Sequence, residues 1–204
     1  MSMFVPITKD VFRWGTIDGE SGFMMYSHLV LNGDNAVLID PVALPGLKEM
    51  IKILSVPVAV IMTNYAHLRG CPLLSRQLDI PLYIPQVGAI DEDVSLVNTF
   101  IDLYSMNDAI RDEESTVLPL GIRAIPIRGR HEMALNFKDF LIVGDSAYGM
   151  NGKLTFYPIG FRPDTNGIAD KASSALKPII KSTGAAGLLS GHMEDIVSGL
   201  QGMI

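Results

Sequence analysis

His67, Arg69 and Cys71 stand close together in the stretch Thr63-Asn64-Tyr65-Ala66-His67-Leu68-Arg69-Gly70-Cys71. Those side chains could do chemistry as a group. A thiol near a guanidinium, at the start of a helix, is favoured as the thiolate. A histidine four residues earlier could serve as its base. The competing reading is that a lone cysteine is a small buried apolar residue, and that reading is preferred. The other histidines are His28, His131 and His192. His28 falls inside a predicted strand, far from the loops, and reads as a surface or core histidine.

The elements around this stretch give it its place. The apolar run 58–62, bounded by Pro57, predicts a buried strand. Pro72 suits the first position of a helix, where a missing N–H costs nothing, so 73–78 reads as helical. A strand therefore leads through a polar loop into a helix, and loops at strand exits are favoured places for chemistry. Upstream, residues 12–17, 23–31 and 36–40 read as strands joined by tight turns, one of them carrying Asn32-Gly33. Residues 44–54 show helical spacing through Leu47, Met50, Ile51 and Leu54. Downstream, a short strand at 82–84 is followed by an acidic stretch, 86–115, read as solvated faces around helical pieces.

A second β-rich block covers 117–118, 122–127, 134–137 and 140–143, and the last of these runs into Gly144-Asp145. Pro126 demotes its strand to an edge or an interrupted strand. Residues 149–167 read as a long loop holding Phe156, Tyr157, Phe161 and Arg162. It serves either as a lid over the site or as a dimer contact or core cover. A helix at 169–181, interrupted at Pro178, a short strand at 187–190 leading into Gly191-His192, and a terminal helix at 195–203 complete the chain.

The 204 residues, 48% hydrophobic and 19% charged, suit a single folded domain spanning 1–204. A net charge of −6 argues against a nucleic-acid partner. One cysteine excludes an internal disulfide. No run is long enough to span a bilayer, and no secretory pattern is visible. A cytoplasmic protein with no membrane partner is the expectation.

Taken in order, Asp40, Thr63, Gly70, Gly144-Asp145 and Gly191-His192, most at the ends of apolar strands, resemble the motifs of the metallo-β-lactamase superfamily. The resemblance covers residues 23–192 and implies an α+β fold, a four-layer α/β/β/α sandwich. It implies that Asp40 braces the metal-binding loop, and that Asp145 and His192 are ligand-type residues. Aligned on Thr63, the family's other ligand positions fall on Asn64, Ala66, Leu68 and Arg69, none a usual zinc ligand. The third motif falls on Gly129-Arg130, with His131 next door. Ala66 and Leu68 read as packing residues, and Asn64 as a hydrogen-bond partner of its own loop.

Two chemistries follow. In the favoured one no metal or other cofactor is held. Arg69 or Arg130 supplies the fixed positive charge and pairs with Asp145. The old cleft then binds a small anionic ligand through Arg69, Arg130, Asp145 and His192, with Tyr65 and Tyr148 along its walls. In the alternative, His67, His131, Asp145 and His192 hold one divalent ion of zinc, iron or manganese. The protein is then a hydrolase of an ester, thioester or similar bond. A homodimer is compatible with either.

Overall fold

The computed structural model describes residues 3–19, 21–85, 109–110, 116–130, 132–157, 164 and 167–204. The first sheet runs in the order β1-β2-β3-β4-β5-β6-β7. Its strands are β1 (Val5–Pro6), β2 (Val11–Ile17), β3 (Met24–Asn32), β4 (Asn35–Ile39), β5 (Val56–Ile61), β6 (Leu82–Pro85) and β7 (Ala109–Ile110). The helices α1 (Leu47–Leu54) and α2 (Cys71–Leu78) belong to this half. The second sheet is ordered β14-β11-β10-β9-β8. It contains β8 (Thr116–Val117), β9 (Arg123–Ile127), β10 (Glu132–Phe137), β11 (Phe140–Val143) and β14 (Gly187–Ser190). A hairpin of β12 (Ala147–Met150) and β13 (Lys153–Phe156) and the helix α3 (Ile168–Thr183) join it.

Alternation along the strands builds three apolar layers. In β4, Ala36 and Leu38 face α1 and α2, packing with Leu47, Ile51 and Leu74. Val37 and Ile39 point the other way and meet Leu135, Phe137 and Ile142 of the second sheet. The opposite face of that sheet, through Ala134, Leu141 and Val143, packs on Leu176 and Ile180 of α3. Strands buried on both faces read as continuous apolar runs, which is why 36–39 and 140–143 show no polar alternation. The expected α/β/β/α order of layers is therefore present. Among the described residues no helix is long and apolar enough to cross a membrane.

Several expected elements differ. Residues 149–156 are largely hairpin rather than loop, with Ala147 paired to Phe156 and Gly149 to Leu154. α3 runs unbroken through Pro178. Pro178 and Ser174, four residues before it, are both exposed, so water can serve the carbonyl that loses its partner. No terminal helix forms at 195–203. Ile196 instead exchanges backbone hydrogen bonds with Leu188, and only a 3-10 turn follows at Leu200–Met203. Burying Ile196 beside β14 outweighs the weak helical spacing, and Gly199 and Gly202 weaken it further. Among the described residues β8 pairs with Ala124 and Arg123 and not with Pro126, whose missing N–H is then not required there. Of the acidic stretch, only β7 lies within the described residues.

Leu38 is fully buried between the first sheet and its helices. Leu38→Ala should cost about 3 kcal/mol of unfolding free energy, the usual size for a leucine cavity. A lowered urea midpoint with unchanged slope is the expected reading.

Candidate functional site

The site begins with the turn after β5. Asn64 caps a short 3-10 turn, Tyr65–His67, by accepting the His67 backbone N–H at 3.0 Å. That turn drives the His67 side chain inward, where it is 2% exposed. Its Nδ1 lies 2.7 Å from Asp40 Oδ2 and its Nε2 lies 3.2 Å from Asp145 Oδ1. Asp40 also accepts the Thr63 N–H at 2.7 Å and the Thr63 hydroxyl at 2.6 Å. These contacts hold Asp40 at φ 46, a left-handed conformation that a non-glycine residue adopts at a cost. The space for the imidazole depends on two glycines. A Cβ at Gly191 would collide with His67 Cε1, and one at Gly144 would lie 2.6 Å from Thr63 Oγ1.

Strand ends of the second sheet bring the remaining partners. β11 ends before Gly144-Asp145 and β14 ends before Gly191-His192, and the two strands are parallel neighbours. His192 Nδ1 lies 2.8 Å from the Met24 carbonyl. A carbonyl only accepts, so Nδ1 carries a proton and Nε2 is turned to the site. That Nε2 lies 3.3 Å from Asp145 Oδ1 and 3.3 Å from His67 Nε2. Asn64 Nδ2 donates to Asp145 Oδ2 at 3.3 Å.

Arg69 closes the cluster from the other side. Its φ of 39 turns the chain so that Nη1 donates to the Tyr26 carbonyl at 2.6 Å and the Asp40 carbonyl at 3.3 Å. Its Nη2 donates to the Gly191 carbonyl at 3.3 Å, and lies 3.1 Å from His67 Nε2 and 3.4 Å from His192 Nε2.

The electrostatics follow from burial and these neighbours. Burial works against a charged His67, as does Arg69, but the Asp145 and Asp40 carboxylates outweigh them and lift its pKa to about 9. Burial likewise opposes ionisation of Asp145. The His67 charge and hydrogen bonds from both imidazoles prevail and hold it well below the usual carboxylate range. Asp40 is lowered in the same way, burial being outweighed by His67, Arg69 and Thr63. His67 is thus an imidazolium bridging two carboxylates.

Glu132, at the start of β10, is a site residue that the sequence reading missed. It is 2% exposed, and its Oε1 accepts the N–H groups of Gly144, Asp145 and Ser146 at 2.7, 3.1 and 3.2 Å. Its Oε2 accepts the Ser146 hydroxyl at 2.6 Å. Burial and the nearby Asp145 charge push its pKa up to about 7. The available signal was an acidic residue opening the otherwise apolar run Met133-Ala134-Leu135.

Two adjoining cavities open onto the cluster. One, about 330 Å³, is lined by His67, Arg69, Asp145, Tyr157 and His192 among others. The second, about 470 Å³, is lined by Asn64, Tyr65, Arg130, Asp145, Tyr157 and Lys171 among others. Arg130 stacks over the Tyr157 ring at 4.4 Å, with Nη2 4.0 Å from Glu132 Oε2.

The predicted residues therefore divide. Asp145, His192, His67 and Arg69 meet in one cluster, while Arg130 and Tyr65 line the neighbouring cavity. The guanidinium–carboxylate pair expected on Asp145 is not formed among the described residues: Asp145 Oδ1 lies 3.2 Å from His67 Nε2 and 3.3 Å from His192 Nε2. Tyr148 is 1% exposed, so its ring does not form a cleft wall. Ala66 is exposed and lines both cavities instead of packing. Leu68 does pack on the first core. Cys71 is buried, donates to the His67 carbonyl at 3.4 Å, and has its pKa raised by burial, so it is no nucleophile. His28 is buried, 3.6 Å from Asp195. His131, Phe161 and Arg162 lie outside the described residues.

As a metal site, the cluster offers one group of three donors among the described residues: His67, Asp145 and His192. Their donor atoms are 3.2–3.3 Å apart. A tetrahedral ion with bonds of roughly 2.0–2.2 Å needs about that spacing. Three donors suit one ion. Arg69 Nη2, however, stands against both imidazoles on the same side.

No protein-family model and no curated protein matches the chain. Solved structures do. It matches DIM-1 metallo-β-lactamase exposed to ceftazidime with a TM-score of 0.69 and 13% identity, covering 95% of this chain and 90% of that one. VMB-1 matches with a TM-score of 0.67 and 15% identity, at 95% and 90% coverage. A metallo-β-lactamase from Pontibacter korlensis gives 0.67 and 11%, at 95% and 92%. The chain has the metallo-β-lactamase fold.

The raised pKa values of His67 and Glu132 set a pH dependence. Protonated His67 stabilises the fold fully below about pH 6.5, and that contribution is lost as pH rises through about 9. Buried Glu132 acts in the same direction at lower pH: its contribution is complete below about 4.5 and is lost as pH rises to about 7. The unfolding free energy of metal-free protein should fall between pH 6.5 and 9.5, by an amount on the order of 3 kcal/mol. Asp145→Asn should flatten the fall, as read from urea unfolding across that range.

Proposed function

We propose that this chain uses the metallo-β-lactamase fold as a metal-independent scaffold and binds a small anionic ligand in its cleft. The charge that a metal would bring is supplied by Arg69 and protonated His67. The observation that carries this reading is the position of Arg69 Nη2, 3.1 and 3.4 Å from the two imidazole Nε2 atoms. Two positive groups already balance Asp40 and Asp145. A divalent ion about 3 Å from a guanidinium would be opposed by on the order of 10 kcal/mol at an effective dielectric near 20. To admit one, His67 would have to lose its proton and Arg69 would have to withdraw. The ligand's negative group is met by Arg130 and Lys171, which line the larger cavity with the Asn64 amide.

A second reading has its own support in the spacing of the three donors. There, His67, Asp145 and His192 hold one divalent ion, oriented through Asp40 and the Met24 carbonyl. The ion would acidify a water for hydrolysis of an ester or thioester. Elemental analysis and zinc titration separate the two. Under the favoured reading the purified protein carries far less than one metal per chain. Arg69→Ala then gains zinc affinity by about a hundredfold or more, roughly 3 kcal/mol, and His192→Ala added to it removes the gain. Stoichiometric metal in the wild type, lost in His192→Ala, would establish the second reading instead.

A further inference from the structure

A groove of about 720 Å³ lies between β9 and α3. Its floor includes Ile125, Pro126 and Pro178, and three cations, Arg123, Arg128 and Lys171, line it. Among the described residues no carboxylate does. In a chain of net charge −6 this is a local reversal of sign. Like charges gathered without a counter-charge repel one another, and an entering anion relieves that repulsion. Arg123 adds an independent observation. Its Nε is shut off from solvent and has no hydrogen-bond partner among the described residues. Buried donors are ordinarily paired, and a small swing of this side chain toward the groove would let an oxyanion take its Nε–Nη edge and pair it.

The groove is continuous with the cleft. Gly129 and Lys171 line both. Gly129, at φ 71, makes the turn that sends Arg128 to one side and Arg130 to the other. We propose that the groove is the phosphoryl-binding arm of the cleft, so that the ligand is an elongated small molecule bearing a phosphate or diphosphate. Three cations call for a group of charge −2 or −3, whereas a single carboxylate would leave two of them unmatched. The ligand's other end then passes Lys171 to Tyr157 and Arg130. This deepens the reading of the cleft as an anion site and rests on it. The arm itself involves none of the side chains of the His67–Asp145–His192 cluster.

Calorimetric titration of the intact chain tests it, first with inorganic pyrophosphate. The expected result is saturable binding that weakens with added salt and falls about tenfold in Arg128→Ala. Arg128 is exposed, so the variant keeps the wild-type melting temperature. Arg123→Lys should weaken binding as well, by loss of the fork. Adenosine diphosphate, used as a longer probe, should bind more tightly than pyrophosphate and shift the ring signals of Tyr157. Absence of saturable pyrophosphate binding, or binding undiminished in Arg128→Ala, would overturn the arm. Equal affinity for both probes with Tyr157 unmoved would overturn the elongated ligand. A single-stranded oligonucleotide that displaces pyrophosphate and binds more tightly would overturn the small-molecule assignment. A metal found on His67, Asp145 and His192 would sink the cleft reading while leaving the pyrophosphate result standing.

Discussion

One buried imidazolium holds the centre of this molecule together. His67 lies between Asp40, at the end of a first-sheet strand, and Asp145, at the end of a second-sheet strand. Neither carboxylate could remain ionised at such depth without a cation, since an unpaired buried charge is costly. His67 could not stay protonated without both of them. Each group's charge state is therefore a condition of the others. The two sheets are joined at this point by charge as well as by the apolar layer between them.

The surroundings serve that chain. Thr63 fixes Asp40 with two hydrogen bonds, and Asn64 turns the backbone so that His67 points inward. Glu132 gathers the N–H groups of 144–146 and so sets the loop that carries Asp145. The two halves are also tied directly, because the Thr63 carbonyl accepts the Met133 N–H at 2.8 Å and Asn64 bridges Glu132. Arg69 then lies over the cluster, anchored by carbonyls of Tyr26, Asp40 and Gly191. Those anchors are backbone atoms of three separate strand ends. The guanidinium is thus fixed by the fold itself and not by a single neighbour.

The site is asymmetric in charge. Carboxylates concentrate around His67, and among the described residues the cations Arg123, Arg128 and Lys171 concentrate beyond Gly129, toward β9 and α3. Arg130 and Lys171 line the same cavity as Asp145. This gives the fold a polarity that the net charge of the chain conceals.

Much of this was legible in the residues. Apolar runs marked the two-sided strands. The Gly-Asp and Gly-His pairs after them marked the strand ends, and the family resemblance implied a bracing role for Asp40. His67 was seen, but as a displaced ligand candidate, since spacing alone does not show that a 3-10 turn rotates it onto Asp40. Arg69 was expected near the cluster, yet its carbonyl anchors and its contact with both imidazoles depend on strand ends far apart in sequence. Glu132 was missed and Tyr148 misplaced for one reason: burial along a strand depends on what packs against it. Sequence determined most of the strands and helices and the cast of titratable groups, because those follow from local periodicity and turn chemistry, while the order of the layers came from the family resemblance. Only the tertiary structure decided which carboxylate holds which cation, because pairing depends on distances of about 3 Å between residues brought together by the sheets.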